Sequence, residues 1–84
     1  MKYSVVHTPF AEYQLADIWL RATSRQEVAD ASNRIDLQLG QDPEQQGQLR
    51  SDGRRSIVLP PLTVTFEVFP DDRLVKVVSV RYTP

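Results

Sequence analysis

The chain has 84 residues, 40% hydrophobic and 25% charged, and this length predicts one domain spanning residues 1–84. Because the sequence has no cysteine and a single histidine, with no carboxylates at a ligand spacing, we expect no disulfide, no metal site and no cofactor. No apolar run has the length of a membrane helix or the form of a signal peptide, so we expect a cytoplasmic protein without membrane contact.

The net charge of −1 is unevenly distributed along the chain. Residues 1–49 hold four basic and seven acidic side chains, a balance of −3, whereas residues 50–84 hold six basic and four acidic ones, a balance of +2. The second half therefore predicts a weakly positive patch. The whole chain lacks the strongly basic balance that is typical of nucleic-acid-binding proteins.

The chain begins with a predicted strand and helix. The β-branched run at about 2–7 favours a strand, and Thr8 followed by Pro9 is typical of a helix start. Apolar residues then recur at helical spacing until about Ala22, where we expect the helix to end. Trp19 belongs to this apolar stripe, which predicts a place for it in the core.

A second helix follows almost at once. Ser24 and Glu27 have the spacing of a capping box, and Gly40 is the predicted C-terminal stop. Because only one or two residues join the helices, we expect them to form an antiparallel hairpin.

The period changes to two in the second half of the chain. Residues 62–69, LTVTFEVF, alternate between apolar and mostly polar side chains, which predicts one buried and one open face. Pro60 and Pro61 belong to a connection or a strand end, and the PDD at 70–72 predicts a hairpin turn. The fold class is therefore α+β: an N-terminal strand, an antiparallel helical hairpin, then a three- to four-stranded mainly antiparallel sheet.

Two features indicate surplus apolar surface. Phe69 lies on the otherwise polar face of its strand, and the valine-rich last strand has more apolar faces than one helical hairpin covers. Exposed apolar surface on a small domain predicts a protein partner.

This order of elements resembles the RelE/ParE superfamily of toxins from bacterial type II toxin–antitoxin modules, often called plasmid stabilisation proteins. The similarity rests on the opening YSVVHTPFAEYQLADIW, on the second helix ending RIDLQLGQDPEQQGQLR, and on RRSIVLPPLTVTFEVFPDDRLVKVVSVRY. Leu39, Pro43 and Gly47, followed by an arginine-led strand, are typical of the junction between helix and sheet in that family. The resemblance covers nearly the whole chain.

The resemblance implies a compact α+β toxin that a cognate antitoxin holds inactive. Some members cleave mRNA on the ribosome, and others inhibit DNA gyrase without cleaving nucleic acid. Three interpretations stay open for this chain: a toxin that binds a target protein, a ribosome-dependent mRNA endonuclease, and an interaction domain that keeps the fold without toxicity. Gyrase or the ribosome with mRNA is the implied target, and a homodimer is a further alternative.

The resemblance also suggests site residues. Arg54 or Arg55 matches the cations of the nuclease branch, and Arg81 with Tyr82 matches its C-terminal pair. The strand that usually carries a central arginine has Thr63 and Thr65 instead, so the sequence favours a toxin without a complete ribonuclease site. Whether the protein is an enzyme stays open; the candidates for anion or partner contact are Arg50, Arg54, Arg55 and Arg73.

The structural alternatives are equally concrete. Arginines placed like Arg50, Arg54 and Arg55 often lie at the solvated edge of a sheet. Arg81 and Tyr82 can likewise have a structural or solvent-facing role at the end of a strand. His7, between a strand and a helix, favours a structural role. The carboxylates of Glu12 and Asp17 favour a solvated helix face over an acid–base pair.

Overall fold

The computed structural model describes residues 2–84. Its elements are β1 (Ser4–His7), α1 (Pro9–Arg21), α2 (Arg25–Gln41), β2 (Gln48–Leu49), β3 (Arg55–Leu59), β4 (Leu62–Phe69) and β5 (Leu74–Tyr82). Short 3₁₀ turns lie at Pro43–Gln45 and Pro70–Asp72.

The five strands form one sheet in the order β1-β5-β4-β3-β2. β1 pairs parallel with β5, and the other three pairings are antiparallel. This confirms the predicted α+β fold. β5 is a central strand, and its buried valines, Val75, Val77 and Val80, face the helices.

Both helices begin where the sequence predicts. Thr8 Oγ1 accepts from the Ala11 amide at 3.1 Å and Pro9 takes the first helical position, while Ser24 Oγ accepts from the Glu27 amide at 3.3 Å. These side chains satisfy amides that have no partner within the first turn of a helix.

The predicted stop at Gly40 is wrong, because α2 continues to Gln41. The Gly40 carbonyl accepts from the Tyr3 amide at 2.7 Å, which ties the last turn of α2 to the start of the sheet. Asp42 is the C-terminal cap, since its amide still donates to the Gln38 carbonyl, and Pro43 follows. A helix seldom continues past the residue before a proline, so Pro43 is the stronger signal.

The core lies between the helices and one face of the sheet. The buried apolar side chains are Ala11, Val28, Ala31, Ile35, Leu39, Ile57, Leu62, Val64, Phe66, Val75, Val77 and Val80. The alternation predicted for β4 is confirmed, since Leu62, Val64 and Phe66 are buried and the residues between them are half-buried.

Trp19 is not in this core. Its side chain is 42% exposed, so the prediction from the apolar stripe was wrong. The stripe on α1 is wider than the surface that the sheet offers to it, and Trp19 lies at its margin. The Arg25 guanidinium covers the indole instead, 4.7 Å from the ring centroid.

The surplus apolar surface lies elsewhere than the sequence indicated. Phe69 is half-buried, with the Lys76 ammonium 5.5 Å from its ring centroid, and none of the valines of β5 is exposed. The exposed large apolar side chains are Val6, Phe10, Tyr13, Trp19, Leu20, Leu37, Leu49, Val58 and Tyr82. Most of them lie on the helices, which directs attention to the outer surface of the helical layer.

Candidate functional site

The sheet has one face under the helices and one open face. Residues paired across neighbouring strands share a face, so the pairs Thr63–Arg81, Thr65–Ser79 and Glu67–Lys76 place these side chains together on the open face. Hydroxyls and charges alternate there. This is the face on which the structure places part of the predicted site.

Arg54 and Arg55 lie on opposite faces. Arg55 pairs with the buried Phe66 on the helix face, and Arg54 directs its guanidinium to Glu67 on the open face, at 3.8 Å. Successive residues of a strand alternate in direction. The two arginines therefore do not act on one phosphate.

Arg55 holds the connection between α2 and the sheet. Its Nε donates to the Gln46 carbonyl at 2.9 Å, and its guanidinium also donates to the Gly47 carbonyl at 3.4 Å. Gly47 has φ +64°, and a Cβ at this position would collide with the Ser56 carbonyl. Arg55 thus fixes a turn that only glycine fits.

Arg81 and Tyr82 also occupy opposite faces of β5. Arg81 pairs with Thr63 on the open face, and Tyr82 pairs with the buried Leu62 on the helix face. Arg54 lies beside Glu67 and Arg81 beside Thr63, and these two residues of β4 are four positions apart. At about 3.3 Å per residue, the two arginines are separated by about 13 Å along the strand. The open-face cations are dispersed.

Arg50 and Arg73, the other candidates for contact, are both exposed and lie in turns. Arg50 begins the turn from β2 to β3, where its amide donates to the Arg54 carbonyl at 2.7 Å. Arg73 adopts the left-handed conformation with φ 49° before β5. Neither is joined to Arg81 in a single site.

A shallow hollow lies where β5 continues beyond β1. Because β1 ends at His7, the outer edge of β5 after Val77 has no neighbouring strand among the described residues. Gln14 Oε1 accepts from the Val80 amide there at 2.8 Å. The hollow has a volume of about 310 Å³ and is lined by Tyr13, Gln14, Asp17, Ile18, Val80, Arg81 and Tyr82.

A larger groove of about 560 Å³ lies between α1 and α2, and we call it the helical groove. Its lining is mainly apolar, with a charged end. The lining residues are His7, Glu12, Leu15, Ala16, Trp19, Leu20, Val28, Ala29, Ser32, Asn33 and Asp36. No sequence pattern groups these residues, because their approach depends on how the two helices pack.

His7 joins β1 to α2 at the charged end of the helical groove. Its Nε2 lies 3.5 Å from Asp36 Oδ1. Hydrogen bonding with this carboxylate raises the pKa of His7 above its ordinary value of 6.5, and partial burial opposes the rise. The expected structural role of His7 agrees with this contact.

Residues 2–84 contain no group of three or more histidine, cysteine or carboxylate side chains that could hold a metal ion. No helix within the same range is long and apolar enough to cross a membrane.

Comparison with solved structures identifies the fold, whereas protein-family models and curated proteins give no match. A chain of the toxin–antitoxin complex RelBE2 from Mycobacterium tuberculosis superposes with a TM-score of 0.79 and 19% identity, covering 98% of this chain and 99% of that one. A chain of the chromosomal ParDE system from Pseudomonas aeruginosa superposes with a TM-score of 0.66 and 16% identity, covering 99% of this chain and 98% of that one.

These two matches cover both chains almost completely, so the chain has the RelE/ParE toxin fold, as the sequence predicted. TrmO from P. aeruginosa also matches, with a TM-score of 0.63 and 25% identity. That match covers 95% of this chain but 35% of TrmO, so the same fold also forms part of a longer chain.

Proposed function

We propose that this protein is the toxin component of a type II toxin–antitoxin module, and that it acts in the cytoplasm by binding a target protein. The fold supports the first part, because two chains from toxin–antitoxin systems match it over nearly their whole lengths. A cognate antitoxin is the expected partner. The surplus apolar surface on the helices supports such a partner.

The dispersion of the open-face cations supports binding over catalysis. Cleavage of RNA needs cations around one phosphate, together with a proton acceptor and a proton donor. Here Arg54 faces Glu67, Arg55 holds a turn on the other face, and Arg81 lies at the far end of the strand. His7, the single histidine, lies on the helix face beside Asp36. The open face therefore fits recognition of a protein surface.

The hollow beside β5 supports a second candidate, a ribosome-dependent mRNA endonuclease. Arg81 borders it together with Tyr13 and Tyr82. Exposed aromatic rings stack on bases, and arginine binds phosphate through forked hydrogen bonds. In this candidate the hollow, and not the open face, would hold the RNA.

Induced expression in a bacterial host separates the alternatives. The protein is expressed alone and together with the product of any small open reading frame adjacent to its gene, and growth, mRNA integrity and DNA supercoiling are followed. Growth arrest with intact mRNA and altered supercoiling, relieved by the neighbouring protein, supports the proposed function. Normal growth in both arms would reject it in favour of an interaction domain without toxicity.

Variants refine the same experiment. Arg54→Ala removes an open-face charge, Arg81→Ala removes the cation of the hollow, and Arg34→Ala serves as control because it is exposed on α2. Ribosome-associated mRNA cleavage that Arg81→Ala abolishes and Arg34→Ala preserves would establish the endonuclease instead. Arg55→Ala is unsuitable, because it releases the turn at Gly47.

A further inference from the structure

The hollow beside β5 contains opposite charges that are not paired with each other. Asp17 of α1 and Arg81 of β5 both line it. Among the described residues Arg81 makes no ion pair, and Asp17 pairs with Arg21 on its own helix. That contact is an exposed pair one helical turn apart and uses Asp17 Oδ1, which leaves Oδ2 for a second cation. The hollow therefore offers one anion and one cation to another molecule.

Exposed aromatic rings surround these charges. Tyr13 is 70% exposed, Phe10 61% and Tyr82 44%, and both tyrosines line the hollow. Phe10, Tyr13 and Asp17 lie on one side of α1, because residues three and seven positions apart share a helix face. Aromatic side chains are enriched in protein–protein interfaces.

The backbone at this edge of the sheet is partly occupied. The Val80 amide donates to Gln14 Oε1 at 2.8 Å, and Thr8 Oγ1 lies 3.5 Å from the Val78 carbonyl oxygen. A strand added to the edge would have to displace these contacts. The side chains of the hollow, and not the backbone, are therefore the groups available to a partner.

The charges of the hollow are complementary to those of a second copy. In a pair with two-fold symmetry, residue i of one copy contacts residue j of the other, and j contacts i in return. Asp17 of each copy can then face Arg81 of the other, so that all four charges are paired. A partner that carries charge of one sign, such as a nucleic acid, would leave one of the two residues without a counter-ion.

The available area limits the strength of such a pair. An aromatic side chain buries about 150–250 Å², so the exposed parts of Phe10, Tyr13 and Tyr82 offer about 350 Å² per copy. With the polar side chains around them, two copies reach only the lower end of the roughly 1,200–2,000 Å² that stable interfaces bury. We therefore expect a dissociation constant in the micromolar range.

We propose that the protein forms a weak two-fold homodimer through the hollow beside β5, in which Asp17 of each copy pairs with Arg81 of the other around packed tyrosine rings. This inference goes beyond the proposed function and does not depend on it, because the charges and rings of the hollow define the contact whether or not the protein is toxic.

Sedimentation velocity over a range of protein concentrations tests this with a charge exchange. Asp17→Arg and Arg81→Asp each place like charges across the interface, so each should weaken dimerisation by about tenfold or more. An equimolar mixture of the two variants should dimerise about as strongly as the unchanged protein, because the new arginine of one variant faces the new aspartate of the other. Asp30→Arg and Arg34→Asp, on exposed residues of α2 outside the hollow, make the same changes in net charge and should have no effect.

Several results would overturn the proposal. These are a protein that stays monomeric at the highest attainable concentration, charge variants that dimerise as well as their controls, and a mixture that associates no better than its components. Circular dichroism verifies folding; if a charge variant does not fold, Tyr13→Ser, on an exposed residue, decides, and an unchanged dimer would contradict the proposal. Binding of single-stranded RNA by a monomer, lost in Arg81→Asp and kept in Arg34→Asp, would overturn it in favour of nucleic acid in the hollow.

Discussion

The helix with more apolar residues, α1, buries fewer of them than the more polar helix, α2. α2 buries Val28, Ala31, Ile35 and Leu39, although much of the rest of it is polar; α1 is richer in apolar residues and buries only Ala11. Phe10, Tyr13, Trp19 and Leu20 of α1 remain exposed. α2 therefore supplies more of the buried core than α1, whose large apolar side chains remain mostly at the surface.

The same leucine substitution in each helix gives the largest contrast. Leu39 of α2 is fully buried and Leu20 of α1 is 63% exposed. Leu39→Ala should lower the free energy of unfolding by about 2–5 kcal/mol through lost burial and a cavity. Leu20→Ala should change it by no more than about 0.5 kcal/mol. Urea denaturation measures both, and similar losses would show that α1 carries as much of the core as α2.

The two N-caps give the next effect. Thr8 Oγ1 accepts from Ala11 and also lies 3.5 Å from the Val78 carbonyl of β5, whereas Ser24 caps its own helix alone. Thr8→Ala should cost about 1–2 kcal/mol and Ser24→Ala about 0.5–1 kcal/mol. Thermal unfolding followed by circular dichroism compares them. A larger loss for Ser24→Ala would mean that the contact with β5 adds nothing.

Gly40 offers a stabilising change within α2. A Cβ there would lie 3.6 Å from the Tyr3 carbonyl oxygen, an ordinary contact, and alanine is the better helix residue. Gly40→Ala should therefore stabilise by about 0.5–1 kcal/mol. Gly53 is the control, since its φ of +85° strains any other residue, and Gly53→Ala should destabilise. A loss in Gly40→Ala would mean that the end of α2 does not tolerate the added methyl group.

The ion pair that joins α2 to β1 gives the smallest effect. Because Asp36 raises the pKa of His7, the pair stabilises the fold below the ordinary pKa of 6.5, and this contribution disappears as the pH rises through the raised pKa. Glu12 also favours the charged imidazole. Asp36→Asn should cost less than about 1 kcal/mol at pH 5.5 and almost nothing at pH 9.

Denaturation at the two pH values measures that difference, with Glu12→Gln as the control that retains the carboxylate in contact with His7. A cost that is the same at both pH values would assign Asp36 a role independent of the charge on His7.

Local patterns were sufficient to predict most of the fold. Thr8 and Ser24 gave the helix starts, and the alternation of residues 62–69 gave the buried face of β4. The parallel contact of β1 with β5 and the short strand β2 carry no local signal. The end of α2 was misplaced because Gly40 is a typical stop, although its carbonyl is satisfied here by Tyr3.

The candidate sites were less predictable. Arg54 and Arg55 are neighbours in sequence, but strand geometry separates them, and which face each occupies depends on the pairing with β4. The contact between His7 and Asp36 joins residues far apart in the chain. The exposure of Trp19 could not be foreseen, because the width of the sheet surface under α1 depends on the strand order.

The position of β5 has a consequence for synthesis. β5 is made after the other four strands but lies inside the sheet, where it pairs with β1, and Thr8 contacts Val78 across 70 residues of sequence. Such distant contacts form late and slow folding. We therefore expect the chain to remain protease-sensitive on the ribosome until residue 82 has emerged, which stalled nascent chains of increasing length can measure; protection gained earlier would contradict this. A partner present during translation would then meet the helical hairpin before the sheet beneath it has closed.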